Sequence, residues 1–290
     1  MFFSLKDRAV SRQLIGFNDE IVDATFISPA TMDSHIAIAA NSSLIRVYSV
    51  SGNESCLLSG HSGPVLCLDR SANGEVFASG SKDSTARLWH FSRDLQTWTC
   101  VGVCTGHAGG VGAIALSRHS ISSDEDWRRG KFLFTGSQDR TIKMWDISNM
   151  PMDNRDNYRI KSLTTTKAHE KDINSLDVSP NDQYLASGSQ DKTARVYEIV
   201  YSKTQSGSSG DIKLLGICKG HKRGIWTVRF GKSERLLATG SGDKTIKLWT
   251  LDDFTCVKVC NIVDQVLYRQ LTGNIRHSKG TRILYFACSS

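Results

Sequence analysis

Four sets of residues have the types and spacing for hydrolytic chemistry: His61, Ser79 and Asp83; His107, Thr135 and Asp139; His169, Ser187 and Asp191; His221, Thr239 and Asp243. In a single site such a trio activates a hydroxyl as nucleophile, the imidazole taking its proton while the carboxylate orients the ring. Here the trio recurs in one register, whereas an active site is normally single, and that recurrence points to a structural part. Buried polar groups must be paired, and a fully satisfied network fixes one geometry. An aromatic residue closes each set six residues after the Asp, as Trp89, Trp145, Tyr197 and Trp249. An indole N–H or a phenol O–H there adds a donor to the network. These residues are expected to be structural, and none to be catalytic.

Eight cysteines raise disulfide and zinc chemistry. Cys100 and Cys104 are four apart, as are Cys256 and Cys260, and both pairs fall in strand-like segments. Four strand residues span roughly 13 Å, well beyond the roughly 4.4–6.8 Å between the Cα atoms of a disulfide. With no C-x-x-C spacing, buried reduced thiols are expected. His35, His90, His119 and His277 lack metal-ligand spacing and are expected at surface or loop positions. No P-loop, G-x-G-x-x-G, H-E-x-x-H or nucleophile elbow occurs. No metal, cofactor or small-molecule substrate is expected. No apolar run approaches the roughly 18 residues of a membrane span, and Met1–Lys6 is too short for a secretory signal. A soluble, intracellular protein with no membrane partner is expected.

The elements that position these sets form an internal repeat. Gly60-His61, Gly106-His107, Ala168-His169 and Gly220-His221 each open a unit. Each continues through an apolar strand and a Ser-x-Asp turn to a second strand ending in the aromatic. His and Asp are 22 residues apart in three copies and 32 in the other, the excess being the polar insert around Ser117–Lys131. This resembles the WD-repeat pattern, whose four-stranded blades pack radially because none can bury both faces alone. That resemblance places the recurring polar residues in a buried network within each blade. Residues 17–49 read as a degraded unit: Phe17 takes the His place, Ile38 the Ser/Thr place, Ser42 the Asp place and Tyr48 the Trp place. The expected fold is all-β, a WD-repeat β-propeller with five recognisable four-stranded blades in an incomplete ring. Residues 1–16 would hold the outer strand of a missing preceding blade, with Arg8–Ile15 as its match. Residues 17–260 would be propeller blades, with Cys256–Cys260 as an outer strand. Residues 261–290 would be a divergent tail, a broken blade. A ring needs roughly four to eight blades, and the chain is expected to be a fragment or aberrant product of a longer protein.

Partner chemistry is sought on the loops. The excess of 36 Lys and Arg over 29 Asp and Glu gives a charge of +7, a balance that attracts phosphate backbones or only aids solubility. Arg46, Arg87, Lys143, Arg195 and Lys247 each stand two residues before a strand-ending aromatic and read as a blade feature. The family resemblance places the Gly-His loops and Asp turns on one rim. Lys82, Arg140, Lys192, Lys222, Arg223 and Lys244 would lie there, suiting RNA or an acidic protein face, or forming a solvated charged rim. Trp226 is the sharper candidate, because Leu66, Gly112 and Asn174 hold the equivalent places. It is either an interface anchor or packed against a neighbouring blade. Of two further polar inserts, Ser148–Lys167 would dock a partner or be solvated, and Tyr201–Asp211, with its Ser-Gly-Ser-Ser-Gly, would be a flexible loop.

The irregular stretches are more individual. Gly16-Phe-Asn-Asp-Glu-Ile-Val-Asp23 with Asn41-Ser-Ser-Leu-Ile-Arg-Val-Tyr48 resembles the opening of the second propeller of the transducin-beta-like WD-repeat subunits of the UTP-B complex of the small-subunit processome. Lys167-Ala-His-Glu-Lys-Asp-Ile-Asn174 and Gly220-His-Lys-Arg-Gly-Ile-Trp226 are similar to that family's later blades, in the same order. The resemblance covers roughly residues 8–260. It implies a non-enzymatic nucleolar scaffold in ribosome biogenesis, with other UTP-B proteins as partners and direct or indirect contact with pre-rRNA or snoRNA. The family's first propeller, its C-terminal helical domain and its last blades are not seen in this sequence. A WD-repeat adaptor elsewhere, such as a ubiquitin-ligase substrate receptor or signalling scaffold, is the second reading, and a hydrolase using one His/Asp set the third.

Overall fold

Period-two apolar patterning, interrupted by Gly, Asn, Asp and Ser, builds short strands and tight turns throughout. The structure, a computed structural model, describes residues 2–3, 10–12, 20–28, 34–52, 54–92, 96–118, 131–151, 158–204, 207–232 and 235–261. Strands β1 (Phe2–Phe3) and β2 (Val10–Arg12) pair with each other, so the one strand inside Arg8–Ile15 joins no described blade.

Five antiparallel four-stranded sheets follow. Blade 1 is β3 (Ile21–Ile27), β4 (His35–Ala40), β5 (Ile45–Ser49) and β6 (Ser55–Leu58). Blade 2 is β7 (Val65–Arg70), β8 (Val76–Ser81), β9 (Ala86–Ser92) and β10 (Thr97–Cys104). Blade 3 is β11 (Val111–Leu116), β12 (Phe132–Ser137), β13 (Thr141–Asp146) and β14 (Ser162–Lys167). Blade 4 is β15 (Ile173–Val178), β16 (Tyr184–Ser189), β17 (Thr193–Thr204) and β18 (Gly207–Lys219). Blade 5 is β19 (Ile225–Phe230), β20 (Leu236–Ser241), β21 (Thr245–Thr250) and β22 (Cys256–Asn261), the last containing the expected outer strand. The described residues thus form five blades of an all-β propeller, as the repeats imply. Residues 262–290, the expected broken blade, lie outside the described residues, as do Phe17, His119 and His277.

The core lies between blades. One cluster joins Ala78 and Leu88 of blade 2 to Val111 and Ile114 of blade 3, and the other clusters join blades 1 and 2, 3 and 4, and 4 and 5. Glycine makes this contact close: a Cβ on Gly136 would stand 2.6 Å from Ile173 Cγ2, and one on Gly188 2.7 Å from Ile225 Cγ2. The inner strands are also tied by side chains. Asp23 Oδ2 accepts Leu68 N–H (2.8 Å), Asp69 Oδ2 accepts Leu116 N–H (2.8 Å), and Asp177 Oδ2 accepts Phe230 N–H (2.8 Å).

Two inserts depart from the sequence reading. Tyr201–Asp211 is no flexible loop, since β17 and β18 continue as one hairpin from Thr193↔Lys219 to Thr204↔Gly207. The hairpin leans on blade 3: the Tyr201 ring lies 5.5 Å from that of Phe132, and Gly210 leaves room for Met144 Sδ. Its Ser and Gly residues satisfy a hairpin because the alternating Ile199 and Tyr201 supply the packed face. Likewise, the described part of Ser148–Lys167 is not merely solvated. Tyr158–Ile160 pairs with Val103 of β10, Ile160 and Met150 are buried, and Ser162–Lys167 is strand β14. His35 and His90 sit in strands, half-buried, not in surface loops. Of the paired cysteines only Cys104 is buried; Cys100 and Cys260 are half-buried and Cys256 is exposed, because an outer strand has one uncovered edge.

Candidate functional site

The recurring trios assemble in blades 2 to 5. In blade 2, His61 Nδ1 lies 2.9 Å from Asp83 Oδ2, and Nε2 lies 2.8 Å from Ser79 Oγ, which accepts Trp89 Nε1–H at 2.8 Å. In blade 3 the His107–Asp139, His107–Thr135 and Trp145–Thr135 distances are 2.8, 2.7 and 2.8 Å. In blade 5 the His221–Asp243, His221–Thr239 and Trp249–Thr239 distances are 2.9, 2.8 and 2.8 Å. Blade 4 keeps His169–Asp191 (2.9 Å) and His169–Ser187 (2.7 Å), while Tyr197 donates its hydroxyl to the Ala168 carbonyl (3.3 Å). With the carboxylate at Nδ1, a neutral ring carries its proton there, so Nε2 accepts the Ser or Thr O–H.

The same carboxylate organises the turn. Asp83 also accepts from Ser62 N–H, Thr85 N–H and the Thr85 hydroxyl, and Asp139, Asp191 and Asp243 repeat the arrangement. Burial alone would raise these carboxyls, but the hydrogen bonds outweigh it, holding Asp139 at about 2 and Asp83, Asp191 and Asp243 well below the usual carboxylate range. Burial lowers His107 and His221 despite their carboxylate partners, favouring the neutral rings the network needs. This is triad-like connectivity, yet Ser79, Thr135, Ser187 and Thr239 are all 0% exposed, so no substrate reaches their oxygens. Blade 1 has Ile38 in the hydroxyl register, opposite Arg46, and carries no such hydroxyl. Among the described residues no group of three or more His, Cys, Asp or Glu is placed to hold a metal ion, and no helix is long and apolar enough to cross a membrane.

The basic candidates share the rim above these networks. Lys82, Arg140, Lys192, Lys222, Arg223 and Lys244 are all exposed. Lys222 donates its N–H to Asp243, which ties the Gly-His loop to the Asp turn. Arg140, Lys192 and Lys244 have φ of 72°, 75° and 65°, left-handed turn positions that cost a side-chain-bearing residue relative to glycine. The strand cations behave otherwise: Lys143 donates to Thr165 (2.8 Å) and Lys247 lies 6.0 Å from the Trp249 ring centre, both within their own blades.

Trp226 is 56% exposed and lies over Gly242 of its own turn. The pairing register breaks at the start of every inner strand, between Ile21 and Asp23, Val65 and Cys67, Val111 and Ala113, Ile173 and Ser175, and Ile225 and Thr227. Val22, Leu66, Gly112, Asn174 and Trp226 are therefore bulge residues, and a bulge re-aims its side chain. Asn174 uses this to donate to Ile225 O of the next blade (2.8 Å).

Repeat reasoning missed a polar cluster on the inner strands. Arg118 donates to Asp69 of blade 2 (3.1 Å) and to Asp177 of blade 4 (2.9 Å), and the two carboxylates keep its guanidinium protonated against burial. Asp69 and Asp177 share a register with Ala115 and Arg229, the one signal that had been available. Burial raises Asp23 to about 6, against two amide hydrogen bonds and the Arg229 charge.

The model of the family "WD domain, G-beta repeat" matches residues 52–90, 98–146, 160–198 and 212–250. Transducin beta-like protein 3 of Rattus norvegicus is 38% identical over 234 residues, 79% of this chain and 26% of its own length. U3 small nucleolar RNA-associated protein 13 of Saccharomyces cerevisiae is 35% identical over 229 residues, 76% of this chain and 26% of its own. A ribosome biogenesis protein WDR12 homolog of Drosophila persimilis is 25% identical over 257 residues, 71% of this chain and 57% of its own. The chain spans about a quarter of the length of the first of these relatives.

Proposed function

The chain belongs to the WD domain, G-beta repeat family, and from that premise we propose that it is a non-enzymatic scaffold of ribosome biogenesis. The observation that carries this is the similarity to transducin beta-like protein 3 and to U3 small nucleolar RNA-associated protein 13, whose alignments run longer than the four matched repeats together. Its place would be the small-subunit processome in the nucleolus, beside other UTP-B proteins, in the assembly that matures small-subunit pre-rRNA. The exposed rim of Lys82, Arg140, Lys192, Lys222, Arg223 and Lys244 supports contact with RNA phosphates, and the half-exposed Trp226 supports a protein anchor at the rim's edge.

Affinity purification of the tagged chain from cells tests this. Recovery of nucleolar processome proteins with pre-rRNA or snoRNA is expected. Replacing Lys222, Arg223 and Lys244 by Glu is expected to lower RNA recovery and flatten its salt dependence. Recovery of only cytoplasmic ligase or receptor partners would overturn the proposal.

A further inference from the structure

The outer strands of blades 2 to 5 share a bulge, and its residue is not covered in every blade. The pairing register breaks between Cys100 and Gly102, Ser162 and Thr164, Leu214 and Gly216, and Cys256 and Lys258. Val101, Leu163, Leu215 and Val257 are therefore the extra residues, and all are apolar. In blade 2 the insert of the following blade covers the place: Val101 is 0% exposed and clusters with Met150 and Ile160. In blade 3 the β17–β18 hairpin does so, with Gly210 leaving room for Leu163. In blade 4 the following blade offers only the short connection Leu251–Thr255, whose Phe254 ring packs over Gly216. Leu214 and Leu215 stay 49% and 45% exposed. Blade 4 has a described blade on each side, unlike blade 5, where Val257 is also exposed.

Blade 2 also shows what kind of chain fits such an edge. Val103 donates its N–H to Tyr158 O (2.8 Å) and Ile160 donates its N–H to Val103 O (3.0 Å), so Tyr158–Ile160 lies as a short parallel addition outside β10. Its Ile160 fills the space beside Gly102. Val103 stands opposite Arg87 and Ile217 opposite Arg195, the same register in two blades. The Ile217 N–H and C=O therefore point outward as those of Val103 do, and no described residue takes them up. We propose that the β18 edge of blade 4 takes an extended segment of a partner protein as a fifth strand, apolar at its centre and acidic at its ends. Leu214 stands opposite Tyr197, on the blade 3 side, and Leu215 takes the place of Val101, on the blade 5 side. Alternate side chains of an added strand thus meet an apolar residue on either face. Lys213 and Lys219 are exposed at the two ends of this stretch. Their charge disfavours pairing with the same edge of a second copy and favours acidic flanks. Such a site stands on the fold alone, so its failure leaves the ribosomal reading untouched.

Fluorescence anisotropy of a labelled synthetic peptide titrated with the full chain provides the test. The peptide alternates isoleucine and threonine and carries glutamates at both ends. Saturable binding is expected at low salt, about tenfold weaker when lysines replace the glutamates. The same peptide N-methylated throughout its centre has no N–H to give a strand edge and is expected not to bind. Leu215→Asp, at an already exposed position, should weaken binding at least about tenfold. Ile217→Pro, which removes an outward N–H and spares the β17–β18 ladder, should do the same. Circular dichroism checks that both variants are folded; if Ile217→Pro is not, Leu215→Asp and the N-methylated peptide decide. In hydrogen exchange the Ile217 amide is expected to be unprotected until the peptide is added. An amide already protected in the free chain overturns the proposal, because residues 262–290 or another segment of the chain then occupies the edge. So do absent binding, equal binding of the N-methylated or lysine-ended peptide, and equal binding to either folded variant.

Discussion

Replacing Asp139 by Ala removes the carboxylate at the centre of the blade 3 network. In the folded chain the group lies at about 2 against an ordinary 3.8, a shift of nearly two units. At about 1.36 kcal/mol per unit, ionised Asp139 is favoured by about 2 kcal/mol over its unfolded reference. The substitution also leaves the His107 Nδ1–H, on a side chain 2% exposed, with only the longer contact to Thr141 Oγ1 (3.3 Å), and removes the acceptor of the part-buried Thr141 amide. A buried donor left unpaired costs about 1–3 kcal/mol. These contributions overlap, and together about 3 kcal/mol is expected, the scale of removing a charged hydrogen-bond acceptor from a buried network. For a domain of this size that lowers Tm by roughly 6–12 °C. The sign is that of a depressed carboxyl: the stabilisation is fully present above pH 3.8 and is lost as pH falls through about 2. The carboxyl's own share of the deficit is therefore constant above pH 5, and because Asp139 also raises His107 against burial, the whole deficit should grow as pH falls below the ordinary 6.5 of a histidine. Calorimetry gives Tm, and hydrogen exchange across residues 132–146 shows whether the loss is local. Asp139→Asn, which keeps an acceptor oxygen but not the charge, should fall between the two. An unchanged Tm with unchanged protection in Asp139→Ala would refute the network as the source of blade stability.

Asp23→Asn should act in the opposite direction. Its folded pKa of about 6 lies above the ordinary 3.8, so its favourable contribution holds below pH 3.8 and is lost as pH rises through 6. The variant is expected to be more stable than wild type by about 1–2 kcal/mol at pH 8 and indistinguishable at pH 4, read from urea midpoints; equal midpoints at pH 8 contradict this. Arg118→Ala leaves Asp69 and Asp177 facing each other, and a loss of about 2 kcal/mol is expected, discounted for a side chain 26% exposed. The loss should shrink at high salt, and a midpoint equal to wild type at low salt counts against the bridge.

The sequence made the blades legible because their information is local and repeated. Each His, Ser or Thr, Asp and Trp sits at a fixed offset, so four copies report one geometry. Tyr197 shows the limit: its type promised a donor, but type alone did not name the Ala168 carbonyl as its acceptor. The inserts were misread for a related reason. Ser-Gly-Ser-Ser-Gly composition favours a loop only when nothing packs on it, and Met144, Phe132 and Thr164 of the preceding blade pack on that hairpin. Such contacts join residues 47 apart in sequence (Thr164 and Asp211) or more, with no periodicity to announce them. Arg118 was hidden twice, within an insert and by partners that occupy only two of the five equivalent registers.

These ties divide the propeller unequally. Each apolar cluster joins only neighbouring blades, so stability passes from blade to blade as in other repeat folds. Arg118 is an exception, because it spans blades 2 and 4 across blade 3. It can do so because blade 3 has Ala115 where its neighbours have Asp69 and Asp177, which removes an anion from that register. The inserts reinforce the same centre: Tyr158–Ile160 covers the edge of blade 2 and the β17–β18 hairpin covers blade 3. Blade 1 lacks the polar network, and blade 5 lacks cover on Ala238, Ile246 and Leu248. Opening should therefore begin at these two blades, and hydrogen exchange in β4 and β21 is expected to run ahead of that in β12 and β16.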